Sequence, residues 1–362
     1  MSGIVFDDEA CLLTQEQLNL FSIPSGRGNT LLDYDLHPRF IHDRAQKKVL
    51  LSDEPEPRII SLNANEHYEI IPATIKSKNK EGVLQSYAIY PGTRESLIED
   101  CLIYFARNGE FTAEKGEPGY VYENGRIGVF FTLYQLRLAL KELGKEYKSS
   151  ELREGLEILT LAKYRYTNTK DRDYLRGYII QELDSIPNPK VNDKLRSDRI
   201  FFAAFDSRAS KRILSGHYRS YDDCCAMSMK SPIARYLYKQ FSGHWQNANM
   251  SNENGSIRSV NLNESTLASG CPLLSNATKR KENMVKALKE LSDASIIQPI
   301  DLDVDVTNTK RGRKIIDSVF LVRPTSKFIS QQIEGFKRLQ KTKSIGDALN
   351  AKNKCLQNTI SD

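Results

Sequence analysis

The stretch NATKRKENMVKALKELSD, residues 276–293, has the pattern of a surface helix with one apolar and one basic face. Its apolar residues recur at helical spacing and are expected to face the core: Met284, Val285, Leu288 and Leu291. The helix is predicted to start near Asn276. Its polar side presents Lys279, Asn283 and Lys286, with Arg280 and Lys281 beside the first turn. The position of this long helix is the basis for assigning the other elements of the C-terminal half.

The residues around the long helix predict a definite order of elements. In chain order they are strands at 200–205 and 218–227, a helix opened by Ser231-Pro232, a short helix at 265–269 closed by Gly270, the long helix, and strands at 296–306 and 315–322. Proline at the first helical position is favourable because its missing N–H has no intrahelical partner there. The loop TNTKRGRK, residues 307–314, joins the last two strands. These elements are interpreted as a winged helix, whose order is helix, strand, helix, helix, hairpin.

A similar order is predicted nearer the N-terminus. Pro91-Gly92-Thr93 begins a helix, and Ile127–Phe131 follows as a strand. Thr132 and Gln135 form a capping box for the next helix, and Ser149 or Ser150 caps a second one. Two Tyr-rich strands then follow, at 163–167 and 174–183, joined by a polar turn. The predicted fold class is therefore α+β, with two tandem winged-helix domains after a flexible acidic N-terminal arm.

The domain boundaries follow from composition and periodicity. The arm covers residues 1–57 and ends in Asp53-Glu54-Pro55-Glu56-Pro57, a composition typical of an extended linker. The first winged-helix domain is placed at 58–190 and the second at 191–326. Residues 327–362 are expected to form a helix and a basic tail.

The charge of the 362-residue chain is divided unevenly along its length. The formal net charge is +6, but residues 1–72 hold 6 Lys and Arg against 12 Asp and Glu, a net −6. Residues 73–362 therefore carry +12. A basic folded body indicates an anionic partner, with nucleic acid favoured over a membrane because no amphipathic anchor is visible.

Several other classes of protein are disfavoured by the sequence. No apolar stretch approaches the roughly 20 residues of a membrane span, and the acidic N-terminus is unlike a signal peptide. The cysteines form no Cys-x-x-Cys pair: Cys11, Cys101, Cys224, Cys225, Cys271 and Cys355. We therefore expect no zinc site and no disulfide framework, and a cytoplasmic protein that does not associate with membranes.

Catalytic motifs are also missing. The sequence has no phosphate loop, no Gly-x-Ser-x-Gly elbow and no His-Glu-x-x-His pair. Asp301, Asp303 and Asp305 could suggest a metal-binding row, but the favoured interpretation is the solvated face of a strand. The apolar face of that strand would consist of Ile300, Leu302, Val304 and Val306. A nucleophile near His217 or Cys224-Cys225 is disfavoured, because that run resembles a strand. We expect no enzymatic activity, no catalytic residue, no metal and no cofactor.

The second winged helix is the candidate DNA reader. In helix-turn-helix proteins the second helix of the pair enters the major groove. Asn suits adenine, and the cations suit guanine or phosphate. The predicted DNA contacts of this domain are Lys279, Arg280, Lys281, Asn283 and Lys286 on the helix, and Lys310, Arg311, Arg313 and Lys314 on the hairpin loop. The alternative is that these cations form only a solvated face.

The first domain is predicted to position DNA or to dimerise. The exposed face of its second helix is acidic, through Ser150, Glu151, Glu154 and Glu157. The cations that flank this face could bind phosphates: Lys148, Arg153, Lys170 and Arg172. We therefore expect backbone contacts here and no readout of bases.

One short segment of the arm suggests a protein partner. Gln17, Leu18, Leu20 and Phe21 lie in QLNLF, residues 17–21. A linear peptide of this kind can place its Leu and Phe side chains in an apolar pocket and become ordered on binding. The alternative is a short helix from Thr14 to Phe21 that packs on the body.

These features together resemble plasmid replication initiators of the RepA/TrfA type. SPIARYLY, residues 231–238, is similar to the opening helix of their second winged helix, and KALKEL, residues 286–291, to their recognition helix. QLNLF resembles the Gln-Leu-Ser/Asp-Leu-Phe peptide that docks onto the polymerase sliding clamp, with Asn19 at the variable position. The resemblance covers about residues 84–325 and the arm peptide.

The resemblance implies a bacterial initiator that binds double-stranded DNA at direct repeats of an origin. It further implies opening of an adjacent A·T-rich region, recruitment of the host initiator and the replicative helicase, and a monomer that binds repeats and also forms a homodimer. Two alternatives remain. One is a winged-helix transcriptional repressor, which predicts a palindromic operator, and the other is a nicking enzyme with a Tyr nucleophile.

Overall fold

The computed structural model describes residues 28–31, 37–43, 49–50, 56–62, 64–78, 81–106, 117–123, 126–169, 173–187, 199–206, 218–245, 257–335 and 337. These residues form a mixed α/β structure with small antiparallel sheets. The strands are β1 (Gly28–Leu31), β2 (Val49–Leu50), β3 (Arg58–Ser61), β4 (Glu66–Ile71), β5 (Ala73–Lys78), β6 (Leu84–Ile89), β7 (Gly119–Glu123), β8 (Arg126–Thr132), β9 (Lys163–Asn168), β10 (Asp173–Tyr178), β11 (Ile180–Pro187), β12 (Arg199–Phe205), β13 (Tyr218–Tyr221), β14 (Arg258–Asn261), β15 (Val306–Arg311) and β16 (Lys314–Val322). The helices are α1 (Thr93–Ala106), α2 (Leu133–Glu142), α3 (Ser149–Leu161), α4 (Asp223–Ser228), α5 (Pro232–His244), α6 (Leu262–Ala268), α7 (Ala277–Asp293) and α8 (residues 326–335).

Two large hydrophobic cores, together with two smaller clusters, organise the described residues. The larger one lies among α1, α2, α3 and strands β7, β8, β11 and β12, and we call these elements, with β3–β6, β9 and β10, the N-terminal unit. The other lies among α5, α6, α7, β14 and β16, and we call the described residues of 218–335 the C-terminal unit. Met227 of α4 is the exception, since it packs into the N-terminal core.

The C-terminal unit has the three predicted helices and the predicted final hairpin, together with a strand, β14, that was not predicted. Ser231 caps α5 and Pro232 stands at its first position, as expected. After β14, helices α6 and α7 follow, and then the β15–β16 hairpin. The sheet order is β14-β16-β15, so the last strand returns between the other two. Helix α6 begins at Leu262, three residues before the predicted start, because Asn261 caps it by accepting from Glu264 N at 2.9 Å.

Two strand predictions in this unit are wrong. The segment 218–227 is a strand only to Tyr221, because Asp222 then caps α4 by accepting from Cys225 N at 2.8 Å. The segment 296–306 is irregular, with a turn at 302–304, and β15 begins only at Val306, so residues 307–311 of the predicted loop are strand.

The aspartates of the second segment explain the turn. Asp301 Oδ1 accepts from the Asp303 backbone N–H at 2.9 Å, which is a local bond that competes with strand pairing. Asp305 is buried and accepts from Arg323 Nη1 at 2.6 Å. Leu302 and Val304, expected on a buried face, are 47% and 72% exposed. The row of carboxylates is thus neither a strand face nor a grouped metal site.

The N-terminal unit has its predicted helices and its predicted hairpin, formed by β9 and β10, but the second strand of that hairpin ends earlier than predicted. The Thr132–Gln135 capping box is confirmed, with bonds of 2.7 and 3.2 Å. Lys148 stands at the N-cap of helix α3 instead of the predicted Ser149 or Ser150, and its backbone N–H donates to the Glu151 side chain at Oε2, at 2.7 Å. The strand predicted at 174–183 breaks at Ile179, because Ile179 and Ile180 are both buried and consecutive residues of one strand face opposite sides.

The break sends the two halves of this strand to different sheets. Strand β10 pairs with β9 in the order β10-β9-β4-β3, whereas β11 joins β11-β12-β8-β7. The β9–β10 hairpin therefore does not pair with β8. In a winged helix the last two strands would pair with that strand. Strand β12 pairs with β8 through Phe201–Phe131, so it belongs by pairing to the N-terminal unit, although the second domain was predicted to begin at residue 191.

Parts of the segment predicted as a flexible arm, residues 1–57, are paired or packed where the structure describes them. Strand β1 pairs with β13, and β2 pairs with β6. Residues 37–43 lie between the two units: Ile41 N donates to Pro91 O and His42 N to Gly270 O, both at 2.8 Å. Burial of the apolar side chains of Phe40 and Ile41 favours this packing, although residues 1–57 as a whole are acidic.

Candidate nucleic-acid interface

Helix α7 is positioned by its cap and by its apolar face. Asn276 Oδ1 accepts from Lys279 N at 3.2 Å, which fixes the first turn. The core residues are almost fully buried: Met284, Ala287, Leu288 and Leu291. Val285 is only half-buried, because it lies at the edge of the predicted apolar face. The helix register predicted from the sequence is therefore the observed one.

The polar face of α7 is open to solvent. Lys279, Asn283 and Lys286 are exposed, as the spacing predicted. They lie at positions i, i+4 and i+7 and so form one line along the helix. One amide flanked by two cations is a combination that can contact both base edges and phosphates.

The β15–β16 hairpin ends in a two-residue turn. Arg311 pairs with Lys314, and Gly312 has φ of 63°, a conformation that glycine adopts without strain. Four cations around this turn are exposed: Lys310, Arg311, Arg313 and Lys314. Their side chains project where no described element covers them.

Side chains near the start of α7 tie it to this hairpin. Arg280 Nη2 donates to Ile316 O of β16 at 3.2 Å, and Arg280 also donates to Leu274 O. Lys281 Nζ lies 3.5 Å from Asn308 Oδ1, which in turn accepts from Ser318 Oγ at 2.8 Å. Helix and hairpin thus form one surface with a fixed relative position.

These bonds change the roles of two predicted DNA contacts. Arg280 is half-buried, and its guanidinium group donates hydrogen bonds to backbone carbonyls. It therefore stabilises the arrangement of helix and hairpin. Lys281 is half-buried as well. No sequence pattern indicates these roles, because helical spacing alone does not say which cation meets the hairpin.

Beside α7 lies a groove that sequence reasoning missed. It has a volume of about 550 Å³ and separates the N-terminus of α5 from the polar side of α7. Lys230, Arg280, Asn283 and Lys286 line it together with one carboxylate of α7, Glu290. Glu290 Oε2 accepts from Ser231 N at 3.0 Å and so joins α5 to α7. Lys230, which precedes the Ser-Pro cap, was the available signal.

Among the described residues, the N-terminal unit exposes fewer of the predicted DNA-binding cations than the C-terminal unit does. Lys148 and Arg153 are exposed on α3, but Glu154 on the same helix accepts from Arg94 Nη1 at 2.9 Å. Lys170 and Arg172 lie outside the described residues, as does the peptide Gln17, Leu18, Leu20 and Phe21.

Two further features concern metal ions and membranes. Within the ranges that the structure describes, no three His, Cys, Asp or Glu side chains are grouped to hold a metal ion. In the same ranges, no helix combines the length and hydropathy needed to cross a membrane.

Comparison with known proteins gives only a weak likeness. No protein-family model matches the chain, and no curated protein matches it. Among solved structures it is similar to a crystal structure of selenomethionine derivatives of domains 2 and 3 of RctB, with a TM-score of 0.43 and 9% identity over 85% of this chain and 98% of the other. A second crystal structure of RctB domains 2–3 gives 0.41 and 8% identity, over 82% and 98%. A likeness of this size establishes no family for the chain.

Proposed function

We propose that the chain binds double-stranded DNA through α7 and the β15–β16 hairpin of the C-terminal unit. In this proposal α6 and α7 act as a helix-turn-helix, and the hairpin is the wing. The order α5, β14, α6, α7, β15, β16 and the sheet order β14-β16-β15 support a winged-helix interpretation of this unit. The N-terminal unit departs from that topology. We therefore infer that the C-terminal unit reads the DNA sequence and that the N-terminal unit supports its binding.

The observation that carries the proposal is the fixed pairing of an exposed polar helix face with an exposed cationic hairpin. Lys279, Asn283 and Lys286 would face the major groove, where an amide can make two hydrogen bonds to adenine. The four cations of the turn would contact the backbone of the flanking DNA. Because Arg280 and Lys281 hold helix and hairpin together, both contacts can form without rearrangement.

We further propose that this DNA is the origin of a replicon and that the chain is its initiator. The sequence resemblance to initiators of the RepA/TrfA type supports this role, and so does the clamp-binding-like peptide. In this proposal the chain binds direct repeats, opens the adjacent A·T-rich region with binding and bending energy, and requires no catalytic residue. The sliding clamp, host initiator and replicative helicase are its proposed protein partners in the bacterial cytoplasm, and it exchanges between monomer and homodimer.

Footprinting on the DNA next to the gene tests the proposal. We expect protection of tandem direct repeats beside an A·T-rich stretch, and no protection of a shuffled sequence of equal composition. Protection of a single palindrome would indicate a transcriptional repressor and not a replication initiator. Equal binding to the repeat and shuffled DNA would contradict sequence-specific recognition altogether.

A further inference from the structure

One arginine at the junction of the two units lacks the partners that a buried charge requires. Arg235 lies on α5 and is only 5% exposed. Its Nε and Nη1 atoms are buried and have no hydrogen-bond acceptor among the described residues. A buried charged group with unsatisfied donors is strongly destabilising unless a counter-charge is supplied.

Arg235 lines a small cavity between the units. The cavity has a volume of about 60 Å³ and lies where residues 37–43 cross between α1 and α5. This is room for one ion with several oxygen atoms, or for a few water molecules. Its wall also contains His37 and His42, whose Nδ1 atoms already bond to the hydroxyl groups of Tyr68 and Thr93.

The carboxylates at this cavity are engaged by other cations. Glu99 accepts from Arg39, and both side chains are buried. Asp100 Oδ1 accepts from Lys239 Nζ at 2.6 Å, and both of these residues are buried too. The wall therefore carries three permanent cationic side chains and two carboxylates, and Arg235 is the cation without a hydrogen-bonded carboxylate among the described residues.

Nearby acidic groups offset this charge only in part. Burial lowers the pKa of Arg235, and the charge of Asp100 opposes that effect without forming a hydrogen bond. Glu290 also acts on Arg235, but its Oε2 atom accepts from the Ser231 backbone. One further negative charge beside Arg235 would balance the junction.

We propose that this cavity is a binding site for a small inorganic oxyanion, of which phosphate is the representative. A guanidinium group presents planar donors that suit two oxygen atoms of a tetrahedral anion. The anion would accept from the free donors of Arg235 and stabilise the contact of α5 with α1 and residues 37–43. This site is separate from the proposed DNA surface and does not depend on it.

Equilibrium dialysis with radiolabelled inorganic phosphate tests the site on the full chain. We expect about one phosphate per chain at saturation. Arg235→Met should weaken binding by roughly 10–100-fold, because it removes charge-assisted hydrogen bonds. Arg235→Lys should bind with intermediate affinity, since it keeps the charge but loses the planar pair of donors. The matched control is Arg176→Met, which removes an exposed arginine of β10 and should bind as the parent does.

Thermal unfolding supplies a second measurement that does not require tight binding. In phosphate the parent's Tm should exceed its Tm in chloride of equal ionic strength by roughly 2 °C or more. Arg235→Met should fold, because the change removes a buried charge, and should lose this difference. Equal phosphate binding by Arg235→Met and the parent, or none by the parent, would mean that water fills the cavity and would overturn the proposal. Stronger binding of AMP than of phosphate would indicate that the site binds a nucleotide phosphate and not a free inorganic anion. That result would also contradict the proposal.

Discussion

Lys239 Nζ of α5 lies 2.6 Å from Asp100 Oδ1 of α1, and this buried ion pair connects the two units of the chain. The same carboxylate is the acidic group that acts most strongly on Arg235. Asp100 thus interacts with two cations of α5, with Lys239 by direct contact and with Arg235 at longer range. Its charge is therefore central to the contact between the units.

Substitutions of this ion pair should have unequal effects. Asp100→Asn leaves both Lys239 and Arg235 without this carboxylate, so we expect a loss of about 3–5 kcal/mol in the free energy of unfolding. Lys239→Met should cost less, because Asp100 can then serve Arg235. Urea unfolding monitored by circular dichroism measures both values. A larger loss for Lys239→Met would contradict the shared role of Asp100.

The line of polar residues on α7 should determine sequence preference. Replacing Asn283 by Ala should reduce the preference for the native repeat over a shuffled one by about 1–3 kcal/mol, because alanine cannot form the two hydrogen bonds to the base. Fluorescence anisotropy with both DNA duplexes measures this difference. Lys327→Ala, an exposed change on α8, is the matched control and should leave the preference unchanged. An unchanged preference in Asn283→Ala would remove α7 from base readout.

The hairpin turn should contribute affinity without specificity. Replacing Arg311 and Arg313 by Ala should weaken binding to native and shuffled duplexes alike. The slope of log K against log salt should fall by roughly 0.9 for each phosphate that the protein no longer neutralises. A titration between low and physiological salt gives the slope. Lys170 and Arg172 are predicted to behave in the same way, and a change of sequence preference in either pair would contradict this division of roles.

Asp305 should make the stability of the C-terminal unit sensitive to acid. Its hydrogen bond with Arg323 holds the pKa of the Asp305 carboxyl below its usual range. The folded pKa is thus lower than the unfolded pKa, so the stabilisation is complete above the unfolded value and is lost as pH falls through the folded value. Asp305→Asn should lower the free energy of unfolding at neutral pH, and the difference from the parent should shrink in strong acid. Urea unfolding from neutral to acidic pH tests this, and a constant difference would contradict it.

Gly270 should tolerate no side chain. Its φ is 75°, and a Cβ atom at this position would lie 1.9 Å from the carbonyl oxygen of Phe40. Gly270→Ala should therefore displace residues 37–43 and expose their backbone amides. Hydrogen exchange of Ile41 and His42, whose N–H groups donate to Pro91 O and Gly270 O, reports the displacement. Gly82→Ala is the control, because its φ is also positive but no atom lies within 4 Å of the added Cβ. Equal protection in the two variants would contradict the prediction.

Local rules predicted most of the helices, although α4 was expected to be part of a strand. Caps such as Thr132–Gln135, Ser231-Pro232 and Asn276 are decided within one turn of the chain, so the sequence contains the whole cause. The exposed line on α7 was predictable for the same reason, since helical spacing fixes which side chains share a face. The oxyanion site was not predictable, because it depends on which carboxylates other cations engage.

By itself, the sequence determined the helix register, the basic hairpin and the uneven distribution of charge. Only the tertiary structure decided that the chain changes sheets at Ile179, that β12 pairs with β8, and that residues 37–43 lie between the units. Strand pairing and burial depend on partners distant in the sequence. Periodicity describes one segment at a time, whereas these contacts are set by the joint packing of several segments.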